Sequence, residues 1–155
     1  TSLIDNPVTA IFVSSLPLGP VPGTANELEQ VLLNLLKNAA QAIHQRDHET
    51  EPGRIILRTR LNPPWAEIQV EDNGVGMPES VRKRIFEPFF TTKEVGQGTG
   101  LGLSVSYFII TNNHKGQMEV HSTLGQGTCF TLRLPLAGNP MNVPAPQIIG
   151  QNDRE

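Results

Sequence analysis

The sequence predicts an α/β fold, a two-layer sandwich in which a mixed, mostly antiparallel sheet packs on helices. Three observations carry this expectation. A long stretch after residue 24 places apolar residues at helical spacing. Two pairs of alternating stretches read as hairpin strands. A second apolar helical stretch lies between those pairs, and helices interleaved with hairpins argue for two layers. At 155 residues the chain fits one domain, which at this size buries roughly two-thirds of its unfolded surface.

Thr9 to Ser14 reads as a short first strand. Leu16 to Gly23 carries Pro17, Pro20 and Pro22 and is expected to be a stiff connector. Asn26 can cap the first helix, with Glu29 three residues on completing a capping box. From there Leu28, Val31, Leu32, Leu35, Ala39, Ala42 and Ile43 form one apolar stripe. Arg54–Leu61 and Trp65–Glu71 alternate on either side of Asn62-Pro63-Pro64 and read as paired strands. Leu101 to Thr111 reads as the second long helix. Gln117–Ser122 and Thr128–Leu134 alternate again, joined by the glycine turn Leu124-Gly125-Gln126-Gly127. The domain is expected to span residues 1–137. A flexible tail is expected over 138–155, where Pro140, Pro144 and Pro146 stand among polar residues.

Composition removes several functions. With 12 basic and 15 acidic side chains the formal charge is −3, which gives no footprint for nucleic acid or for an anionic membrane surface. Cys129 is the single cysteine, so no disulfide closes within the chain; it reads as a small apolar strand residue. No apolar run reaches the length of a bilayer span. The sequence opens at Thr1 with no basic-then-apolar leader, so no secretory signal is expected, and the missing initiator Met is expected of a fragment.

Four groups of residues could carry chemistry. On the polar side of the first helix, Glu27, Gln30, Asn34, Lys37, Asn38, Gln41 and Gln45 share one face. Asn34 and Asn38 are one turn apart, so their amides point the same way. Such a face is either simply solvated or offers amide oxygens to a hard cation such as Mg²⁺. In Glu71-Asp72-Asn73-Gly74-Val75-Gly76-Met77 a strand runs into an acid and two glycines. That segment is a plain turn, or a place where a ligand lies on the backbone and Asp72 accepts a hydrogen bond from an exocyclic amine. Gly96, Gly98, Gly100 and Gly102 alternate through a loop that enters the second helix. Its amides suit an anion such as phosphate, although the spacing is neither a P-loop nor a dinucleotide fingerprint. Between the glycine loops, Phe86, Phe89 and Phe90 cluster with Arg84 and Lys93. The rings pin a long loop to the core, and the two cations are candidates to reach polyphosphate. The histidines at 44, 48, 114 and 121 lack metal-site spacing.

Taken in order, these pieces resemble the ATP-binding domain shared by histidine kinases, gyrase, a heat-shock chaperone and a mismatch-repair ATPase. Glu29 to Ala39 looks like that family's asparagine box, Asp72-Asn73-Gly74-Val75-Gly76 its first glycine box and Gly98-Thr99-Gly100-Leu101-Gly102-Leu103 its second. The phenylalanine cluster is typical of the histidine kinases alone. The resemblance covers residues from about 24 to 135.

The resemblance implies a Bergerat-type sandwich with a mobile ATP lid from Lys93 to Gly102, whose backbone, including Gly98, Thr99, Gly100 and Leu101, closes on phosphate. It implies that Asn38 ligates a phosphate-bridging Mg²⁺ with Asn34 beside it. Asp72 would fix the adenine amine with Thr128 helping, and Gly74 and Gly76 would make room for the base. Lys37, Gln41, Met77, Phe90, Thr91 and Thr92 are expected to complete the nucleotide site. The ATP-hydrolysing branches carry a glutamate where this chain has Asn34, so water is expected to be a poor acceptor. Many histidine kinases carry Lys and Tyr where this chain has Gln41 and Ala42, which leaves Lys37, Arg84 and Lys93 as candidates for the missing charge. Thr91-Thr92-Lys93 after the phenylalanines looks like kinases of the nitrogen-regulation type. The function implied is a cytoplasmic sensor histidine kinase's catalytic domain, expected to be monomeric alone. It would transfer the γ-phosphate of ATP to a histidine on a separate dimerisation domain, and a response regulator would receive it next. An ATPase switch module and a non-catalytic docking module are the alternatives.

Overall fold

A computed structural model of the chain describes residues 9–14, 23–46, 51–92 and 101–136. Five strands form one sheet: β1 (Thr9–Ser14), β2 (Arg54–Asn62), β3 (Trp65–Asp72), β4 (Gln117–Thr123) and β5 (Gly127–Pro135). Their order is β1-β2-β3-β5-β4, with β1 parallel to β2 and every other pair antiparallel. The helices are α1 (Ala25–His44), a short α2 (Glu79–Arg82), and α3 (Gly102–Phe108), which runs on into a π-helical turn, Ile109–Asn113. The expected two-layer sandwich is therefore the observed architecture. The connector of residues 16–22, the lid residues 93–100 and the tail from 138 lie outside the described residues.

Alternation along each strand sorts the two faces. Leu57, Val70, Phe130 and Val120 share one row across the sheet, and Thr59, Ile68, Leu132 and Met118 the next. Against these rows α1 lays Val31, Leu35, Ala39 and Ile43, all buried at one helical face, and the π-turn adds Ile109 and Ile110. Burying each Val, Leu or Ile of this set contributes about 1.5–3 kcal/mol, so the stripe holds the helical layer on the sheet. Although α1 is 20 residues long, no described helix is long and apolar enough to cross a membrane.

Two helix boundaries differ from the sequence expectation. The first residue outside α1 is Thr24, not Asn26, and no side chain caps it. Asn26 and Glu29 lie inside the first turns and form no capping box. A tertiary contact takes over that role: the Thr24 N–H donates to His114 Nε2 at 3.0 Å, and the Thr24 carbonyl accepts from Leu28 N–H. The second helix is α-helical only to Phe108, then widens. The wider turn carries Ile109 and Ile110 side by side into the core. It also presents the Ile109 carbonyl to both the backbone N–H and the ring Nδ1 of His114. With Nδ1–H donating there, Nε2 is left to accept from Thr24, so the two contacts fix the orientation of the ring. Helix α2, which the sequence reading did not anticipate, starts directly after Pro78.

The opposite face of the sheet is polar. At its centre Glu67, 1% exposed, accepts from Arg60 Nε at 2.5 Å, Arg133 Nε at 2.9 Å and Asn62 Nδ2 at 3.2 Å. Burial alone pushes this carboxyl up; the three hydrogen bonds outweigh burial and bring it from 4.5 to about 2. A carboxyl whose folded value is depressed contributes stability above its unfolded value, and loses it as pH falls through the folded one. Because Arg60 is half exposed, solvent screening trims the contribution to about 2 kcal/mol. Glu67→Gln is therefore expected to lower stability by about that amount at pH 7 and to shrink the stability lost between pH 5 and pH 2. Urea unfolding at the three pH values checks this; an unchanged pH slope would contradict it.

Candidate functional site

The site lies at the end of the sheet where β3 finishes and β5 begins. The last helix-facing row there is polar: Asp72 pairs with Thr128, and Thr128 with Ser122. Ser122 Oγ and Thr128 Oγ1 are 2.8 Å apart, and the Met77 N–H donates to Ser122 Oγ at 2.9 Å. The turn leaving β3 is fastened to the helical layer, with the Val75 N–H donating to the Ala42 carbonyl at 3.0 Å. It is fastened to the β4–β5 turn as well, where the Gly125 N–H donates to the Val75 carbonyl at 2.6 Å.

The glycines of this turn answer to those contacts. A Cβ on Gly74 would lie 2.5 Å from the Ala42 backbone carbon. Gly76 has φ +67°, and a Cβ there would lie 2.1 Å from the Thr123 carbonyl oxygen. The sequence reading had both glycines making room for a ligand; in the structure each also approaches a protein backbone closely. Gly74 does not line the cavity, whereas Gly76 does.

Between α1 and this polar row opens a cavity of about 530 Å³, the size of a small-molecule site. Asn34, Lys37, Asn38, Gln41 and Ala42 line it from α1, Gln45 from the residue that caps it, and Asp72, Thr128 and Phe130 from the sheet. Gly76, Met77, Pro78, Val81 and Ile85 close one side, and Phe90, Thr91, Thr92, Gly102 and Leu103 another. Lys37 and Asp72 are the charged side chains among its described lining residues. The cavity thus gathers Asn34, Lys37, Asn38, Gln41, Asp72, Gly76, Met77, Phe90, Thr91, Thr92, Gly102 and Thr128 of the expected site. Leu101 does not line it, and Lys93, Gly98, Thr99 and Gly100 lie outside the described residues.

Arg84 is the clearest displacement from expectation. Its guanidinium sits 4.5 Å from the centre of the Phe90 ring and pairs with Glu87 at 3.1 Å, and it does not line the cavity. The phenylalanines divide. Phe86 stacks on Tyr107 at 4.7 Å, Phe90 enters the cavity wall, and Phe89, with φ +65°, is 73% exposed. Ala42, Gln45, Val75, Pro78, Val81, Ile85, Leu103 and Phe130 are lining residues that the expected site left out. The polar face of α1 already marked Gln45, whereas the apolar members look like ordinary core in the sequence.

The two asparagines are not equivalent. Asn34 Nδ2 donates to Ser106 Oγ at 3.2 Å, tying α1 to α3, and its Oδ1 lies against Gly102. Asn38 makes no side-chain hydrogen bond among the described residues and lines the cavity. No group of three or more His, Cys, Asp or Glu that could cage a metal occurs among the described residues. An amide oxygen without a partner suits Mg²⁺, which keeps most of its waters and takes few protein ligands.

Asp72 is buried, with Oδ1 accepting the Gly74 N–H at 2.8 Å. Burial pushes its carboxyl from 3.8 up to about 6, against the lowering effect of the Gly74 and Thr128 amides and with a further push from Glu71. Here the sign is opposite to that of Glu67: the empty domain is destabilised above about pH 6 and recovers as pH falls toward 4. Holding the charge at pH 7 costs about 3 kcal/mol before relaxation. Asp72→Asn keeps an oxygen for the Gly74 amide and removes that charge. It is expected to raise the unliganded domain's stability at pH 7 by about 1–3 kcal/mol, read by urea unfolding. A destabilised variant would contradict the sign.

A five-stranded sheet with one helical layer, and a cavity offering a buried acid at one end and the unpaired Asn38 amide at the other, define an ATPase-type nucleotide-binding domain. The chain belongs to the family of histidine kinase-, DNA gyrase B- and HSP90-like ATPases, whose profile matches residues 23–138. Within it, the chain is a catalytic, ATP-binding domain of the two-component sensor histidine kinase type. It is 46% identical over 123 residues to the two-component sensor PprA of Pseudomonas aeruginosa, covering 76% of this chain and 13% of that protein. The chain thus spans a small part of such a relative's length. The catalytic domain of histidine kinase ThkA, solved nucleotide-free, superposes with TM-score 0.70 at 31% identity, covering 83% of this chain and 79% of that one. Histidine kinase ThkA in complex with response regulator protein TrrA gives TM-score 0.66 at 26% identity, covering 83% and 34%.

Proposed function

We propose that this domain binds Mg-ATP and presents its γ-phosphate to a histidine on a separate dimerisation and phosphotransfer domain. The observation that carries the reading is the pairing, in one cavity, of buried Asp72 with unpartnered Asn38. Asp72 accepts from the exocyclic amine of adenine, with Thr128 beside it, while Gly76 and Met77 flank the base. Asn38 would hold a Mg²⁺ ion through its amide oxygen, and the ion would supply positive charge beside the phosphates. Asn34 positions α3 against that end through Ser106. Lys37 supplies positive charge, and Thr91, Thr92 and Lys93 lead into the lid, whose backbone from Gly98 to Gly102 closes over phosphate.

Transfer needs positioning and charge neutralisation more than covalent help. A histidine nitrogen attacks the γ-phosphorus, the bond to the β–γ bridging oxygen breaks, and ADP leaves with that electron pair. Asn34 is no general base, so water is not activated in the histidine's place. The phosphate then passes to a response regulator, a partner supported by the ThkA–TrrA complex. The whole protein is a cytoplasmically acting kinase of the nitrogen-regulation type; within the present sequence the catalytic domain runs over residues 1–137 and a tail over 138–155. The isolated domain is a monomer without contact to membrane or nucleic acid. The alternative ATPase switch lacks a carboxylate at position 34, and a pure docking module would have no use for a charge held in a buried position at Asp72.

Calorimetric titration tests the reading. Mg-ATP is expected to bind saturably, Asp72→Ala to abolish binding, and steady-state hydrolysis to stay near background. Because the amine needs an ionised acceptor, affinity is expected to fall several-fold from pH 7 to pH 5, about ten-fold per unit once Asp72 is mostly protonated. Asp72→Asn is expected to remove that dependence. No binding heat in the unmodified domain would sink the catalytic reading, and brisk hydrolysis would favour the ATPase switch.

A further inference from the structure

On the cavity side of α1, Asn34 and Asn38 stand toward one end, and Ala42, fastened to the turn beside Asp72, toward the other. Gln41 stands between them, about 4.5 Å beyond Asn38 along the helix axis. It lines the cavity, yet its Oε1 is shut off from water and has no hydrogen-bond partner among the described residues. Buried side-chain oxygens are nearly always paired, so an orphan in a cavity wall points to a partner that arrives with the ligand. The terminal torsion of glutamine is soft, and a modest rotation turns either amide atom toward the cavity.

Chemistry narrows that partner. Phosphate oxygens only accept and an exocyclic amine chiefly donates. A hydroxyl does both, and so satisfies the glutamine amide in either orientation. In a nucleotide the hydroxyls sit on the ribose, between base and phosphates, as Gln41 sits between the Asp72 end and Asn38. We propose that Gln41 hydrogen-bonds a ribose hydroxyl of the bound nucleotide and makes the site selective for ribonucleotides over their deoxy analogues. This rests on the nucleotide reading above and adds a specificity determinant to it. It also separates two tasks on neighbouring residues: Gln41 recognises sugar, and Lys37 carries the charge for the phosphates.

Titrating the domain with ATP, 2′-deoxy-ATP, 3′-deoxy-ATP and ADP tests it. The unmodified domain is expected to prefer ATP over at least one deoxy analogue by about five- to ten-fold, the effect of one net hydrogen bond. Gln41→Leu is expected to bring that ratio within about two-fold while leaving the ATP-to-ADP ratio unchanged. Gln41→Glu, which keeps an acceptor, is expected to retain the preference for the ribose. Thermal melts establish that each variant folds, and Gln41→Met replaces Gln41→Leu if the latter does not. An unmodified domain indifferent to the deoxy change overturns the proposal, as does a preference that survives in Gln41→Leu. A change confined to the ATP-to-ADP ratio also overturns it and moves Gln41 to the phosphates. Failure of every nucleotide to bind sinks the underlying nucleotide reading instead.

Discussion

The contact between the turn after β3 and the C-terminal part of α1 sets the geometry on which the rest depends. Val75 donates to Ala42, and Gly74 lies so close to the same backbone that a methyl group could not be added. One hydrogen bond and one close approach thereby fix how far Asp72 stands from the polar face of α1. The apolar stripe of α1 decides that the helix lies on the sheet, but stripes tolerate sliding. The Gly74–Ala42 contact is a hard stop, and it makes the cavity between helix and sheet a defined space rather than a gap in packing.

Two carboxylates on neighbouring parts of β3 show what the faces of one strand can do. Glu67, facing away from the helices, is surrounded by arginines and lies well below the usual carboxylate range. Asp72, facing the helices, is buried with backbone amides as its hydrogen-bond donors and lies well above it. The strand's two-residue period places them on opposite sides. One contributes to the stability of the empty domain. The other detracts from it and is held in place by the surrounding fold, as expected of a group kept for binding.

Legibility in the sequence followed the range of the interactions involved. Strand alternation and the α1 stripe are local patterns, and they foretold the sheet, its hairpins and the helix nearly to the residue. Boundaries set by distant contacts were not readable. The end of α1 is taken over by His114, 90 positions away in the chain, so Asn26 and Glu29 formed a convincing capping box that the fold does not use. The widened turn at Ile109 likewise answers to His114. In the cavity, polar members were marked by their shared helical face and by the acid-then-glycine turn, whereas Phe130, Ile85 and Leu103 carry no mark separating them from core. Arg84 was misplaced because a cation beside three phenylalanines suits a ring as well as a phosphate, and only the geometry chooses Phe90.

The ties between α1 and the α3–π-turn segment have a mechanical consequence. Asn34 meets Ser106 in mid-helix, Glu27 accepts from Asn113 at 2.7 Å, and Thr24 is bonded to His114. Three rungs spaced along nearly the whole shared length make the two segments an antiparallel ladder, stiff against both sliding and splaying. A push on the outer edge of α3 is therefore delivered to the turn of α1 that carries Asn34 and Asn38, instead of being absorbed between the helices. The helical layer works as a single lever whose short arm is the Asn34–Asn38 wall of the cavity.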